Sequence, residues 1–132
     1  MYKSNNQIPL APIAVFAFNR LKPLQLTLAA LIKCQEFASS RVIIFCDGAK
    51  NGDELNQYLT SDVRGFVQKW CKAHGAECCF GETNIGLRRS ITKGVSTILE
   101  ESDRIIVLED DIIVSRAFLA FMNCMLNAAK DR

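Results

Sequence analysis

The stretch SDRIIVLEDDIIVS, Ser102 to Ser115, sets the architecture. Four apolar residues, Ile105 to Leu108, run straight into Glu109, Asp110 and Asp111, and three more apolar residues follow. A short, unbroken apolar run is what a strand covered on both faces needs, as in a parallel sheet, whereas a half-exposed strand alternates. Three neighbouring carboxylates at its end repel one another and lose hydration unless something positive meets them. The stretch therefore predicts a buried strand whose carboxyl end carries cation chemistry.

The same pattern recurs along the chain. Ile13–Phe18 (IAVFAF) and Arg41–Cys46 (RVIIFC) are apolar runs of strand length, Ala76–Phe80 is a shorter one, and Arg104–Leu108 completes the set. Helical segments lie between them. Pro23 opens LQLTLAALIKC, and Val63, Phe66, Val67, Trp70 and Cys71 recur at helical spacing, with Ser61 or Asp62 to cap and Gly75 to end. Leu87 to Glu101 carries a stripe of Leu87, Ile91, Val95, Ile98 and Leu99, and Phe118 to Ala129 forms a last helix. Buried strands alternating with amphipathic helices predict an α/β fold, a mostly parallel sheet with helices on both faces in three layers.

Composition narrows the function classes. The 132 residues suit one domain, and 49% hydrophobic with 23% charged residues is ordinary globular composition. Sixteen basic against fourteen acidic residues leave a net charge of +2, with no basic stripe, so nucleic acid is not an expected partner. The apolar run Ile8–Phe18 is interrupted by Pro9 and Pro12 and follows the polar start MYKSNNQ, so neither an export signal nor a transmembrane segment is expected. Six cysteines contain no CxxC, and Cys34, Cys46, Cys71 and Cys124 fall on apolar faces, while His74 is the sole histidine. Reduced thiols and a cytoplasmic setting are expected.

In a parallel sheet, ligands bind outside the carboxyl ends of the strands. The polar residues gather there: Asn19 and Arg20 after the first strand, Asp47 and Gly48 after the second, Asn84 and Gly86 after the third, and the acidic triplet after the fourth. If the triplet is extended, Glu109 and Asp111 face one way and Asp110 the other, so one face can hold a divalent cation and the other hydroxyl groups. Oxygen ligands select Mg2+ or Mn2+. A P-loop NTPase would need GxxxxGK[ST] and a dinucleotide fold GxGxxG after the first strand; neither is present. A receiver domain would carry acidic residues where this chain has Asn19 and Arg20. Simpler roles exist for some of these residues: Asp47-Gly48 and Asn84 to Gly86 also suit turns, and Arg88 and Arg89 suit a solvated helix face.

Four pieces, PIAVFAFNR, VIIFCDG, NIGLRRSITKGV and RIIVLEDDIIVSRAF, occur in this order between Pro12 and Phe118. Together they resemble the nucleotide-binding half of GT-A-fold glycosyltransferases, in the family-2-like group and nearest the N-acetylglucosaminyltransferase I type, with a Glu-Asp-Asp for the usual Asp-x-Asp. The resemblance implies a Rossmann-like nucleotide-diphospho-sugar fold and a UDP-sugar donor bound with Mn2+ or Mg2+. Ala17, Phe18, Asn19 and Arg20 would edge the nucleotide pocket, and Asp47 would accept from the uracil imide. Glu109 would approach the ribose, Asp110 the donor sugar and Asp111 the metal, while Asn84, Gly86 and Arg88 shape the loop beside the donor.

The resemblance also implies a limit. In the similar families the general base lies well downstream of the triplet, on the acceptor-binding half. Residues 1–132 are thus expected to be a single, truncated nucleotide-sugar-binding domain acting on an unknown glycan, lipid or protein acceptor. Phe118, Phe121, Met122 and Met125 would then leave an uncovered helix face prone to self-association. The alternatives are a non-catalytic nucleotide-sugar-binding or regulatory module, a sugar-phosphate nucleotidyltransferase, for which the GxGxRL-like loop is missing, and a plain interaction domain.

Overall fold

A computed structural model describes residues 9–130. The polar start MYKSNNQ, and with it the expectation of no export signal, lies outside this range. The elements run β1 (Ile13–Ala17), α1 (Leu21–Ile32), a 3-10 turn (Gln35–Ser39), β2 (Val42–Cys46), α2 (Glu54–His74), β3 (Glu77–Phe80), α3 (Leu87–Leu99), β4 (Ile106–Glu109) and α4 (Phe118–Ala129). The four strands form one parallel sheet in the order β3-β2-β1-β4. Among the described residues no helix is long and apolar enough to cross a membrane.

The expected three-layer α/β fold is present, with its layers unequal. Ile13 and Val15 of β1, Ile44 of β2 and Ile106 and Leu108 of β4 face α1, α2 and α4 in the larger core, which includes Leu24, Leu28, Val63, Val67 and Leu119. The alternate residues Ala14, Phe16 and Ile43 face α3 alone, with Ile98. Gly94 permits that packing. A Cβ there would stand 2.7 Å from the Phe16 ring, which stacks on Phe45 at 5.1 Å between centroids. One helix cannot cover four strands, so Val107 on β4 stays 37% exposed and β3 is largely exposed at its edge.

Three local expectations are corrected. Asp53 caps α2, accepting from the Asn56 N–H at 2.9 Å, and Ser61 and Asp62 lie inside the helix. The early turns carry the buried stripe with polar residues, Asn56 and Thr60, which an apolar count passes over. On α3, Leu87 and Leu99 are exposed, because the contact with the sheet runs through Gly94 and Ile98. Cys124 is exposed, unlike Cys34, Cys46 and Cys71.

One buried polar side chain ties α4 to the sheet. Asn123 Oδ1 accepts from the Ala11 N–H at 2.7 Å, just before β1, and its Nδ2 donates to the Leu119 carbonyl at 2.8 Å. Asn123→Ala leaves a buried N–H without an acceptor, which costs about 1–3 kcal/mol. A urea-unfolding midpoint unchanged from the parent protein would contradict that assignment.

Candidate functional site

Because all strands run in parallel, Ala17, Cys46, Phe80 and Glu109 end on one rim. Asp47 organises that rim. It is 6% exposed and its carboxylate accepts four hydrogen bonds: Oδ1 from the N–H groups of Gly48 (2.8 Å) and Ile85 (3.1 Å), Oδ2 from the Gly86 N–H (3.0 Å) and Asn84 Nδ2 (3.2 Å). Two acceptor sites per oxygen are thereby filled from within the chain. A uracil imide reaching Asp47 has to displace one of these donors. Asn84 Nδ2 also donates to the Gly48 carbonyl at 3.0 Å, so β2 is fastened to the loop before α3 from both sides.

Two glycines make the crossing possible. A Cβ on Gly48 would stand 2.6 Å from the Thr83 carbonyl oxygen, so only glycine lets the two backbones touch. Gly86 caps α3 at φ 85°, a left-handed conformation that side chains disfavour. The Arg64 guanidinium, from the middle of α2, lies over the Phe80 ring at 5.1 Å and donates to the carbonyls of Gly81 and Asp47. Nothing in the local pattern marks Arg64: within an amphipathic helix an arginine reads as a solvated face.

Ala17, Phe18, Asp47, Asn84 and Gly86, all singled out from sequence, line one pocket of about 210 Å³ together with Lys50, Leu87 and Ser90. Lys50 is a cation that sequence reasoning passed over, one position among many in DGAKNGD. A larger cleft of about 440 Å³ shares Asp47 and Ser90 and opens on the α3 side, lined by Phe45, Cys79, Lys93 and Thr97. Asn19 is half-buried beyond β1, and Arg88 is exposed on the first turn of α3 and does not line the pocket.

The acidic triplet sits one strand over, beside β1, with Glu109 in register with Phe16. The alternation expected across the three acids does not hold. β4 stops at Glu109 and the chain turns, so Asp110 and Asp111 both approach Arg20, whose Nη2 lies 2.6 Å from Asp110 Oδ1 and 3.5 Å from Asp111 Oδ2. The positive group that the triplet demands is thus already in the chain for Asp110. Burial pushes the Asp110 carboxyl up from the usual carboxylate range and Arg20 opposes it, while the pair holds the half-exposed Arg20 more firmly protonated. The Asp110 carbonyl accepts from Thr27 of α1 at 3.0 Å, which fixes the turn.

Asp111, the more distant of Arg20's two partners, has a side chain 52% exposed and is the most open of the three acids. Among the described residues no three His, Cys, Asp or Glu side chains gather into a metal cage. Mg2+-type ions do not need one, since they bind through one or two carboxylates plus substrate phosphates. One open carboxylate of this kind, Asp111, is compatible with such an ion.

No family model and no curated protein matches the chain. Among solved structures, the crystal structure of S. aureus TarS, a glycosyltransferase, superposes with a TM-score of 0.61 at 15% identity. At this identity the likeness is one of fold, a parallel α/β sheet flanked by helices. The match covers 89% of this chain and 20% of TarS, so the likeness concerns one part of that protein.

Proposed function

We propose that this chain is the donor-binding part of a glycosyltransferase, holding a nucleotide-diphosphate sugar, a UDP-sugar by preference, at the rim built on Asp47 and Arg20. The observation that carries the reading is the gathering of Ala17, Phe18, Asp47, Asn84 and Gly86, from β1, β2 and the loop before α3, around one pocket. The adjoining cleft of about 440 Å³ falls in the range of small-ligand sites. TarS supports the fold part of the reading, and its being a glycosyltransferase supports the activity.

Lys50 on the pocket wall supplies positive charge for a diphosphate, and Arg20, at the start of α1 and held by Asp110, would border the nucleotide. Backbone and side-chain groups of Ala17, Phe18 and Asn19 would bound the base, with Asn84, Gly86 and Arg88 beside the sugar. Glu109 would approach the ribose and Asp110 the donor sugar. Asp111 would be the protein's ligand to Mn2+ or Mg2+, which stabilises charge growing on the leaving phosphate. The acceptor, glycan, lipid or protein, and the base that deprotonates it belong outside this pocket. A cytoplasmic protein is the fitting setting for six free thiols, three of them exposed.

The Arg20–Asp110 pair favours a second reading, a metal-independent nucleotide-sugar-binding module, because it neutralises part of the triplet without an ion. Titration calorimetry with UDP, with and without Mn2+, separates the two. Transferase chemistry predicts binding tightened by about tenfold or more with Mn2+, or at least 1.4 kcal/mol, and loss of that enhancement in Asp111→Ala. Equal affinity in a chelator would favour the metal-independent module. No nucleotide binding at all would remove both.

A further inference from the structure

Cys71 and Cys78 belong to different elements and play no part in the rim, yet the fold brings them together. Cys78 pairs in register with Ile44, and aligned residues of neighbouring parallel strands share a face, so its side chain lies on the α2 side of the sheet with Ile44. Cys71, in the last turns of α2, is buried on that same side and its thiol donates to the carbonyl of Glu77 at 3.5 Å, the residue directly before Cys78. The Ala76 N–H closes the turn onto the Cys71 carbonyl at 3.0 Å, which fixes the short connection between the two cysteines. Cys79, the next residue, is in register with Phe45 and faces α3 instead.

The two thiols are unequal in a useful way. Cys78 is exposed on an edge strand, open to solvent. Burial pushes the Cys71 thiol up to about 12, with Cys78 adding to the rise, so its ionisation makes the resolving attack the slow step. An exposed thiol that reacts first and a sheltered one beside it that resolves the adduct are the two parts of a redox pair.

We propose that Cys71 and Cys78 are a modification site that closes to an intramolecular disulfide when the protein meets a low-molecular-weight disulfide. The Cys78 thiolate attacks one sulfur of oxidised glutathione and expels a glutathione thiolate. Cys71 then loses its proton and attacks the Cys78 sulfur of the mixed disulfide, expelling the second glutathione. The protein thiols give up two electrons, the oxidant takes them, and the two protons end on the released glutathione thiols. The bond staples the end of α2 to the edge strand leading into Gly81, where Arg64 of α2 is already bonded, so the redox state sets how firmly that side of the rim is held.

The test uses the reduced full chain, incubated with and without oxidised glutathione, blocked by alkylation and mapped by peptide mass spectrometry. The expected product is a peptide pair joined through Cys71 and Cys78, absent without oxidant, reversed by dithiothreitol and formed equally in Cys79→Ser. In Cys78→Ser, a change at an exposed position, Cys71 is expected to stay free. A lasting glutathione adduct on Cys78 with Cys71 still free overturns the proposal, and so does oxidation that joins two chains through Cys78 or Cys79.

Discussion

Asp47→Ala is expected to lose nucleotide binding altogether and to destabilise the protein by about 2–4 kcal/mol. Three backbone N–H groups and the Asn84 amide lose their common acceptor at once. A buried donor left unpaired costs about 1–3 kcal/mol. The total falls below four such costs because the pocket beside Asp47 admits water to some of them. Asp47→Asn is not a gentle substitute: whichever way the amide is turned, an NH2 group faces donors where an oxygen stood. Urea unfolding and UDP titration of both variants check this, and stability within about 0.5 kcal/mol of the parent would show that Asp47 does not clamp the loop.

Gly48→Ala acts on the same joint through sterics. The new methyl group would sit 2.6 Å from the Thr83 carbonyl oxygen and 2.8 Å from its Cα, and backbone cannot rotate aside as a side chain can. Overpacking of this kind costs about 1–3 kcal/mol. The loop that must shift is the one Asp47 and Asn84 hold, so nucleotide affinity is expected to fall by about tenfold or more while helix content by circular dichroism stays unchanged. Combined with Asp47→Ala, the two losses should be less than additive, since each releases the same segment. Full additivity would mean that the two residues act on different parts of the structure.

The triplet changes meaning once Arg20 is seen. From the sequence, three adjacent carboxylates demand a positive partner, and that demand is sound. The sequence distance of ninety residues between Arg20 and Asp110 hides the fact that the chain supplies one. Asp111 is therefore the informative position for a metal, because its neighbour's charge is already matched. Arg64 was hidden for a similar reason: its partners are backbone carbonyls at the ends of two other strands, and no side-chain pattern advertises a carbonyl.

By itself the sequence determined the four strands, the end of α2 at Gly75, and the side of the sheet on which polar residues collect. These follow from local rules: apolar runs of strand length, helical periodicity, a glycine able to take φ 65°, and the single rim that a parallel sheet provides. Tertiary structure alone decided the order β3-β2-β1-β4, the lone helix α3 on one face, the start of α2 at a buried polar stripe, and the pairings of Arg20, Asp47 and Arg64. Those depend on contacts between residues far apart in the chain, where hydrogen bonds and ion pairs form only after packing has excluded water and fixed the partners' distance.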